Sequence, residues 1–567
     1  MKQQTLCVLL LALCSTGCSA PKNTKTGMER DVTVVVAGDL HFDTPPETDQ
    51  YYHVKAMNRL PDHFRFPAEA MPGIAGEAIR NVDAVILAGD MFDKASPEIL
   101  SLYKERYETG KGDKTIHFPV YPGFGNHDID PVSSDSAKNL EGRAFSLGYL
   151  DSVLNGKLAK GEILNLHPSS RSYSWNIGDV HFIQAQRFSG DTAYCESNLE
   201  WLADDLRHYA SKGNPVVYIQ HYGVDKWAIK WWPQAARNRL FDLLDQYNIA
   251  AFLVGHTHEP SLRHYRGYPI YQVNNAWPDE DGNGSFAVLR IKGNTVSVAS
   301  CRWTDGGGNF EVAGPFQNDS LPLKINKDIH YNAFSHNDYW RENPLTDALA
   351  FRYNCVEADL WLIDGELYVS HDRPEPNPSI TFENLYLRPL VARIQTNGGK
   401  VYPGSDRPFY LMVDCKTNGE DIYKVLKRQM EPYKELFCSV DKGQFKEGAI
   451  LFFLSGDRPK NSLPGESSRF TFLDGQIKDL GKNVPASLAP VVSDNYADFL
   501  TWRGEGEIPA DQLQKMREII AQTHAEGKLF RWWGAPDTEQ FKRFFIQEGV
   551  DLVGADDLNG LYDVLSE

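Results

Sequence analysis

At 567 residues, with 42% hydrophobic and 24% charged side chains, the chain is long enough for more than one globular core and has neither fibrous nor disordered composition. Its formal net charge of -18 argues against nucleic acid as a general partner, because a phosphate backbone needs a basic surface. A local metal site can still take an anion. Of the 8 Cys, Cys7, Cys14 and Cys18 lie near the start. Cys195, Cys301, Cys355, Cys415 and Cys438 lack metal-ligand spacing and read as buried thiols, with two disulfides at most.

Met1-Lys2, an apolar run from Leu6 to Leu13 and the small residues Ser15-Thr16-Gly17 before Cys18 describe a secretory signal. The run is too short to cross a bilayer. The pattern over residues 1–18 resembles a bacterial lipoprotein signal, with Ser15 standing where an apolar residue is usual. That resemblance implies that Cys18 is acylated and becomes the mature N-terminus. The protein would then be exported and membrane-attached, in the periplasm or at the cell surface of a bacterium. Residues 19–30 are polar and read as a tether.

From Val32 onward strand-like runs alternate with helix-like segments, an α/β pattern. The first run, Val32 to Ala37, is continuous and β-branched, as a strand covered on both faces should be. It ends in Gly38-Asp39-Leu40-His41, and residues two apart in extended backbone point the same way. Ala84 to Ala88 ends in Gly89-Asp90-Met91-Phe92-Asp93, and Ile116 to Tyr121 leads to Gly125-Asn126-His127-Asp128. Val216 to Gln220 ends in His221, and Ala250 to Val254 ends in Gly255-His256-Thr257-His258. Alone, each of these is an ordinary polar turn, and a lone His221 is an ordinary core histidine. Together, five strands deliver Asp, Asn or His at their carboxyl ends, the edge at which α/β sheets bind ligands. Borderline divalent cations accept mixed nitrogen and oxygen ligands. Two of them ~3.5–4 Å apart can share a carboxylate and clamp a phosphoryl group. Asn126 in place of a third Asp keeps such a site net positive.

As a set, Asp39-x-His41, Gly89-Asp90-x-x-Asp93, Gly125-Asn126-His127-Asp128, His221 and Gly255-His256-x-His258 resemble the calcineurin-like metallophosphoesterases, in order and complete. The resemblance implies a metallophosphoesterase α/β sandwich over residues 31–312. It implies that Asp39, His41, Asp90 and His258 hold one metal and Asp90, Asn126, His221 and His256 the other. The metals would be two divalent ions of the Mn, Fe or Zn type. His127 would be the general acid on the leaving oxygen, oriented by Asp128. Two loops are candidate walls of the substrate pocket: Thr44 to Phe66, with Tyr51, Tyr52 and His53, and Val224 to Gln234, with Trp227, Trp231 and Trp232. Tryptophans at that spacing are more often helix core than a binding box. Ser285 to Ile291 and Thr295 to Val298, joined by Lys-Gly-Asn, read as a closing hairpin.

Gly, Pro and polar residues over 313–328 mark a boundary. Beyond it, over 329–567, strand candidates are Tyr331–Ser335, Cys355–Trp361, Phe409–Val413, Ala449–Leu454, Phe470–Leu473, Pro490–Ser493, Leu529–Trp533 and Leu552–Ala555. Eight strand–helix units in about 240 residues fit a closed (β/α)8 TIM-type barrel. Its strand ends carry His336, Glu357, Asp359, Asp414 and Lys416, and a short hairpin ends in His371. Two His and clustered carboxylates suit an acid/base pair and one hard cation for phosphodiester cleavage, with Lys416 offsetting carboxylate charge.

This half resembles the superfamily of glycerophosphodiester phosphodiesterases and phosphatidylinositol-specific phospholipases C. The resemblance implies His336 and His371 as acid/base pair and Glu357, Asp359 and Asp414 as ligands of one Ca²⁺ or Mg²⁺. Asn337-Asp338 stands where glycerophosphodiesterases have Arg-Gly, and Asp414 where Glu is usual; Arg341 and Arg531 are candidates for the missing arginine. The expected function is a lipid-anchored bifunctional phosphoesterase acting on a small phosphate ester, a glycerophosphodiester or phosphoinositide. Its barrel would cut a diester and its dinuclear domain a monoester. The alternative is a single metallophosphatase whose non-catalytic barrel binds phospholipid headgroups or glycans.

Overall fold

A computed structural model describes residues 30–42, 51–129, 136–278 and 282–567. The expected signal, its Cys18 and all but the end of the tether lie outside these, as do residues 44–50 of the first candidate loop. Among the described residues no helix is long and apolar enough to cross a membrane.

In chain order, the first half is built from β1 (Asp31–Ala37), β2 (Ala84–Leu87), β3 (Val120–Tyr121), β4 (Asn165–Leu166), β5 (Tyr173–Ile177), β6 (Val180–Gln184), β7 (Val216–Ile219), β8 (Ile249–Val254), β9 (Ser261–Tyr265), β10 (Tyr268–Gln272), β11 (Ser285–Lys292), β12 (Thr295–Trp303) and β13 (Phe310–Ser320). One sheet runs β13-β12-β11-β1-β2-β3 and the other β4-β5-β6-β7-β8-β10-β9. β1, β2 and β3 are mutually parallel, as are β6, β7, β8 and β10. Strand alternation divides each residue set between two faces. Phe182, Val217, Ile219 and Leu253 of the second sheet join Val34, Val36 and Ile86 of the first in the core between the sheets. Their neighbours Ile183, Tyr218, Phe252 and Val254 point the other way, into an apolar cluster that continues into the second half of the chain.

That second half begins with β14 (His330–Ser335), β15 (Tyr353–Ile363), β16 (Glu366–Val369) and β17 (Phe409–Cys415). It continues with β18 (Ser439–Asp441), β19 (Gln444–Lys446), β20 (Ile450–Gly456), β21 (Ser468–Arg469), β22 (Phe472–Gly475), β23 (Val491–Asn495), β24 (Leu529–Trp533) and β25 (Val553–Ala555). The eight strands β25-β14-β15-β17-β20-β22-β23-β24 lie side by side in parallel, and a bridge between Arg531 and Leu552 brings the ends of the row together as a nearly closed barrel. Phe334, Cys355, Met412, Phe453, Phe472, Val491 and Leu552 fill the interior. Alternate residues such as Val356, Leu411 and Phe452 face outward under the helices. Not every unit has its helix: β20 to β22 and β22 to β23 are joined by loops with short 3-10 turns. β16 folds back antiparallel on the extended end of β15, and β18, β19 and β21 make a small separate sheet.

Three expectations need correcting. The Gly/Pro stretch taken as the start of the linker is partly strand: β13 runs to Ser320, paired along β12. Gly314 and Pro315 fall at the irregularity of that pairing between Ala299 and Ser300, a place where an edge strand tolerates proline. In the first candidate loop, Tyr51–Asn58 is a helix and His53 is core, its Nε2 donating to Ser285 O at 3.1 Å and its Nδ1 facing Tyr107 Oη at 2.9 Å. Of the three tryptophans in the second, Trp232 is buried, while Trp227 and Trp231 are exposed. The five described cysteines are free thiols, four buried and Cys195 half-buried.

The two halves meet over the outer face of the second sheet. Tyr265 packs edge-on against Phe351 at 5.3 Å, and Phe351 against Tyr562 at 5.9 Å. Buried Asn238 donates to Asp347 Oδ1 at 2.8 Å, and Gln234 N to Glu342 Oε2 at 2.8 Å.

Candidate active sites

The parallel orientation of β1–β3 and β7–β8 puts five strand ends at one edge of the sandwich, three from one sheet and two from the other. Leaving each strand, the chain must turn sharply to bring a ligand inward. Asp39, His41, Asp90, His256 and His258 all have positive φ, between 44° and 87°. Non-glycine residues there cost of order 1–3 kcal/mol each and persist only where the surroundings over-determine them. Gly125 is required for a second reason. A Cβ on it would lie 2.2 Å from Asp90 Oδ1 and 2.6 Å from His221 Nε2, so any side chain would enter the ligand cluster.

The structure brings the predicted ligands together in two groups, Asp39, His41 and His258 and then Asp90, His221 and His256, joined by a third that contains His41, Asp90 and His127. His258 Nε2 is 3.4 Å from Asp39 Oδ1, and His41 Nε2 is 3.5 Å from Asp90 Oδ2 and 3.9 Å from Asp39 Oδ1. His221 Nε2 is 3.2 Å from Asp90 Oδ2 and 3.0 Å from Asn126 Oδ1. Ligand atoms of Asp39, His41 and His258, and likewise of Asp90, His221 and His256, lie within 4.8 Å of one another. Asp39 also accepts the backbone N–H of His256, and Asp90 that of His127.

These donors fit two divalent ions. His221 Nδ1 donates to Ala88 O at 2.9 Å, which leaves the Nε2 lone pair facing the oxygens of Asp90 and Asn126. Three acceptors so placed require a cation among them or a proton on the ring. His41 Nε2 is buried without a hydrogen-bond partner. Burial disfavours charge on His41, yet Asp39, Asp93 and Asp90 hold its pKa at about 10. Burial likewise opposes a charged His221, but Asp90 and Asp39 raise it. Asp90, although buried, is held down to about 2 by His221 and His41. The cluster therefore attracts positive charge. Asp39, His41, Asp90 and His258 would hold one ion, and Asp90, Asn126, His221 and His256 the other. When bound, such a pair supplies Lewis acidity at the phosphate and a nucleophile from water. Trp277, missed in the sequence, stands edge-on to His41 and His258 at 5.0 and 5.1 Å.

His127 sits beside this cluster on the short helix Asn126–Ile129, its ring 4.4 Å from that of His41. Its orienting partner is not Asp128. Asp128 is buried and accepts N–H bonds from Gly125, Met91 and Phe92 at 2.8 to 3.2 Å, tying the third strand end to the second. Burial, with the charge of Asp90 nearby, pushes the Asp128 carboxyl up to about 7 against those three donors. The partner is Asp93, whose Oδ1 accepts from His127 Nδ1 at 3.0 Å. That bond leaves His127 Nε2 for a leaving group. His127 and His41 hold the Asp93 carboxyl well below the usual carboxylate range. The Asp90-x-x-Asp93 spacing was the available signal, with no role attached to its second member.

The barrel's candidates also gather at one mouth. His336 follows β14, Glu357 and Asp359 end the barrel part of β15, His371 follows β16, and Asp414 and Lys416 close β17. His336 Nδ1 donates to Asp556 Oδ1 at 2.8 Å, a partner supplied by the turn after β25. His371 Nδ1 is 3.2 Å from Asp359 Oδ2, and Tyr339 donates to that same oxygen at 2.7 Å. Asp556 and Tyr339 were missed in the sequence, although Asp556 is itself a polar residue at a strand's carboxyl end. Asp338 is structural: it is buried and accepts from Ser335, Leu345 N and Tyr386. Of the two arginine candidates, Arg341 is occupied by the carbonyls of His336, Ala555 and Asp556. Arg531 remains, 3.7 Å from Glu357 Oε2 and sharing a cavity with His336.

The expected Ca²⁺ or Mg²⁺ set does not fit here as the first set does. Among the described residues, the three-ligand groups all lie in the first half. Ligand atoms of Glu357, Asp359 and Asp414 do not all lie within 4.8 Å of one another. Lys416 Nζ lies between the latter two, 2.8 Å from Asp359 and 2.6 Å from Asp414, and those carboxylates hold its pKa up against burial.

Comparison with known proteins matches a different family to each half of the chain. The family described as calcineurin-like phosphoesterase matches residues 32–260, and the AIM6-like phosphodiesterase domain matches residues 324–474. The chain thus carries an N-terminal calcineurin-like metallophosphoesterase domain and a C-terminal AIM6-like phosphodiesterase domain, and is a phosphoric ester hydrolase. The C-terminal match is to this domain and not specifically to the glycerophosphodiesterase and phospholipase C superfamily expected above. Among relatives, the altered inheritance of mitochondria protein 6 homolog of Arthroderma benhamiae is 27% identical over 254 residues, covering 40% of this chain and 81% of that protein. Altered inheritance of mitochondria protein 6 of Saccharomyces cerevisiae is 28% identical over 286 residues, covering 42% and 72%. A dimetal phosphatase from Danio rerio aligns at a TM-score of 0.34 and 11% identity over 51% of this chain and 98% of its own. A glycerophosphodiester phosphodiesterase from Agrobacterium tumefaciens aligns at 0.27 and 13%, over 42% and 99%.

Proposed function

We propose that the chain is a two-site phosphoesterase in which the barrel cleaves a phosphodiester and the dinuclear domain removes phosphate from the monoester released. The observation that carries this reading is that each half gathers its own charged and acid/base residues at the carboxyl ends of its strands. In the first domain, with Mn, Fe or Zn ions bound, His127 protonates the departing oxygen while Asp93 holds its ring. In the barrel, His336, oriented by Asp556, and His371, oriented by Asp359 and Tyr339, exchange the protons of diester cleavage. Lys416 and Arg531 supply positive charge toward the phosphate. The substrate class is a glycerophosphodiester or phosphoinositide, and the protein is an exported bacterial lipoprotein anchored through Cys18.

The test is the full chain with Asp90→Asn, which disables the first site only. Turnover of a glycerophosphodiester by this chain, lost on adding His336→Ala or His371→Ala, supports the reading. The His371→Ala chain should release phosphate only when given the monoester. Repeating the Asp90→Asn assay after chelation reports whether the barrel uses Ca²⁺ or Mg²⁺. A chain that turns over no diester under any divalent cation refutes the second activity. It would favour the alternative, a barrel that only binds phospholipid headgroups or glycans, for which the tie of Lys416 to Asp359 and Asp414 already speaks.

A further inference from the structure

The segment Lys226-Trp227-Ala228-Ile229-Lys230-Trp231 follows His221 in the chain, forms a short 3-10 turn at the surface and lines a cleft with residues of the barrel. Trp227 is 55% exposed and Trp231 64%. Trp340, on the barrel side, is 59% exposed and lines one cleft together with Lys226 and Ile229. These are the three most exposed tryptophans among the described residues. Lys230 Nζ stands 4.1 Å from the Trp227 ring and Lys226 Nζ 5.5 Å, so both ammonium groups flank exposed indole. Trp340 in turn lies 6.3 Å from the His336 ring and 5.7 Å from that of His371.

Water is a poor neighbour for the two indoles of this turn and for Trp340, which shares a cleft with the turn's Lys226 and Ile229. A protein partner would be expected to cover roughly 800 Å². The three rings offer at most about 450 Å², taking ~250 Å² for a whole Trp side chain. A bilayer interface has no such area requirement. It takes up individual Trp rings at headgroup depth, with Lys stems laid along them and the ammonium groups toward lipid phosphate. We infer that this patch docks the protein on an anionic phospholipid bilayer, bringing the barrel mouth down to the headgroups. The charge argument is specific to the patch. A chain of net charge -18 is repelled by an anionic surface. The cleft beside Trp340 carries Arg237, Arg263 and Arg341 as well as Glu342, Asp347, Asp556, Asp557 and Asp563. At the turn itself Lys226 and Lys230 are the cations beside the exposed indole, each worth roughly fivefold in binding at an anionic surface.

The experiment uses the full chain with Cys18→Ala, so that acylation does not contribute, and vesicles of phosphatidylcholine alone or mixed equally with phosphatidylglycerol. Part of the lipid carries brominated acyl chains, which quench only tryptophans that reach them. The expected result is quenching and a blue-shifted emission on the mixed vesicles, with much less on neutral ones. Lys226→Glu with Lys230→Glu should weaken binding to the mixed vesicles roughly thirtyfold or more. The thermal unfolding midpoint of that variant should stay unchanged, which separates lost docking from lost folding. Trp227→Phe with Trp231→Phe and Trp340→Phe should remove the quenching. Vesicle binding through the N-terminal segment without quenching, or quenching indifferent to both lipid charge and the lysine variants, overturns the inference.

Discussion

Replacing Asp93 with Asn tests which carboxylate prepares the general acid of the first domain. Asp93 Oδ1 lies 3.0 Å from His127 Nδ1 and 3.6 Å from His41 Nδ1, and its side chain is 26% exposed. A hydrogen bond to a charged group is worth roughly 1.5–3 kcal/mol, and the partial exposure places this one at the low end. At about 1.4 kcal/mol per decade of rate, the expected loss is about tenfold and at most about a hundredfold. It must also depend on the leaving group, because protonation helps little when the departing anion is already stable. The assay is kcat for phosphomonoesters ranging from nitrophenyl to simple alkyl, with bound metal measured in each preparation because Asp93 also neighbours the ligand His41. Asp93→Asn should leave the nitrophenyl ester nearly unchanged and slow the alkyl esters about tenfold. Asp128→Asn should behave differently. Its amide would turn an N–H₂ toward a backbone donor, costing about 1–3 kcal/mol of stability with no new leaving-group dependence. A steepened dependence in Asp128→Asn and none in Asp93→Asn would refute the assignment.

Further outcomes follow from the same distances. Asp90→Asn removes the carboxylate common to both ligand groups, so a chain supplied with Mn²⁺, Zn²⁺ or Fe should retain fewer than two metals; His127→Ala should retain two by elemental analysis. His53 is buried and its pKa is lowered to about 4 by that burial, so the native state excludes its proton. Its contribution is therefore fully present above pH 6.5 and is lost as pH falls toward 4, by up to about 3 kcal/mol. His53→Gln should flatten that limb of the stability profile, and an unaltered slope in denaturant titrations would contradict it. Asp347→Ala leaves the side-chain N–H of Asn238 and the backbone N–H of Asn343 without their shared acceptor, at a cost of about 1–3 kcal/mol. Calorimetry of that variant should show the two halves beginning to unfold separately; a single unshifted transition would mean the contact contributes nothing.

Much of this protein was legible without coordinates, and for a definite reason. A strand covered on both faces must be written as a continuous apolar run, so Val32 to Ala37, Val216 to Gln220 and Ala250 to Val254 announce themselves, and whatever polar residue ends each run is at a sheet edge. The same logic found the barrel strands and, at their ends, His336, Glu357, Asp359, Asp414 and Lys416; His371 came from the short hairpin after β15. What spacing cannot convey is which groups from distant segments come within 3 Å. Asp128 is adjacent to His127 in the chain yet turned away from it, while Asp93, 34 residues earlier, reaches it because β2 and β3 are neighbours. The ligands could be enumerated from strand ends, but their division between two facing sheets could not, since each strand reads the same in either. Lys416 was expected to offset carboxylate charge, but its position between Asp359 and Asp414 depends on the register of β15 with β17. Trp227, Trp231 and Trp232 are equivalent as letters; only the packing of the turn they share against the second sheet buries one ring and leaves two outside. Local chemistry is encoded along the chain, whereas proximity, exposure and partnership arise when remote segments compete for the same space, and that competition is resolved only in the folded molecule.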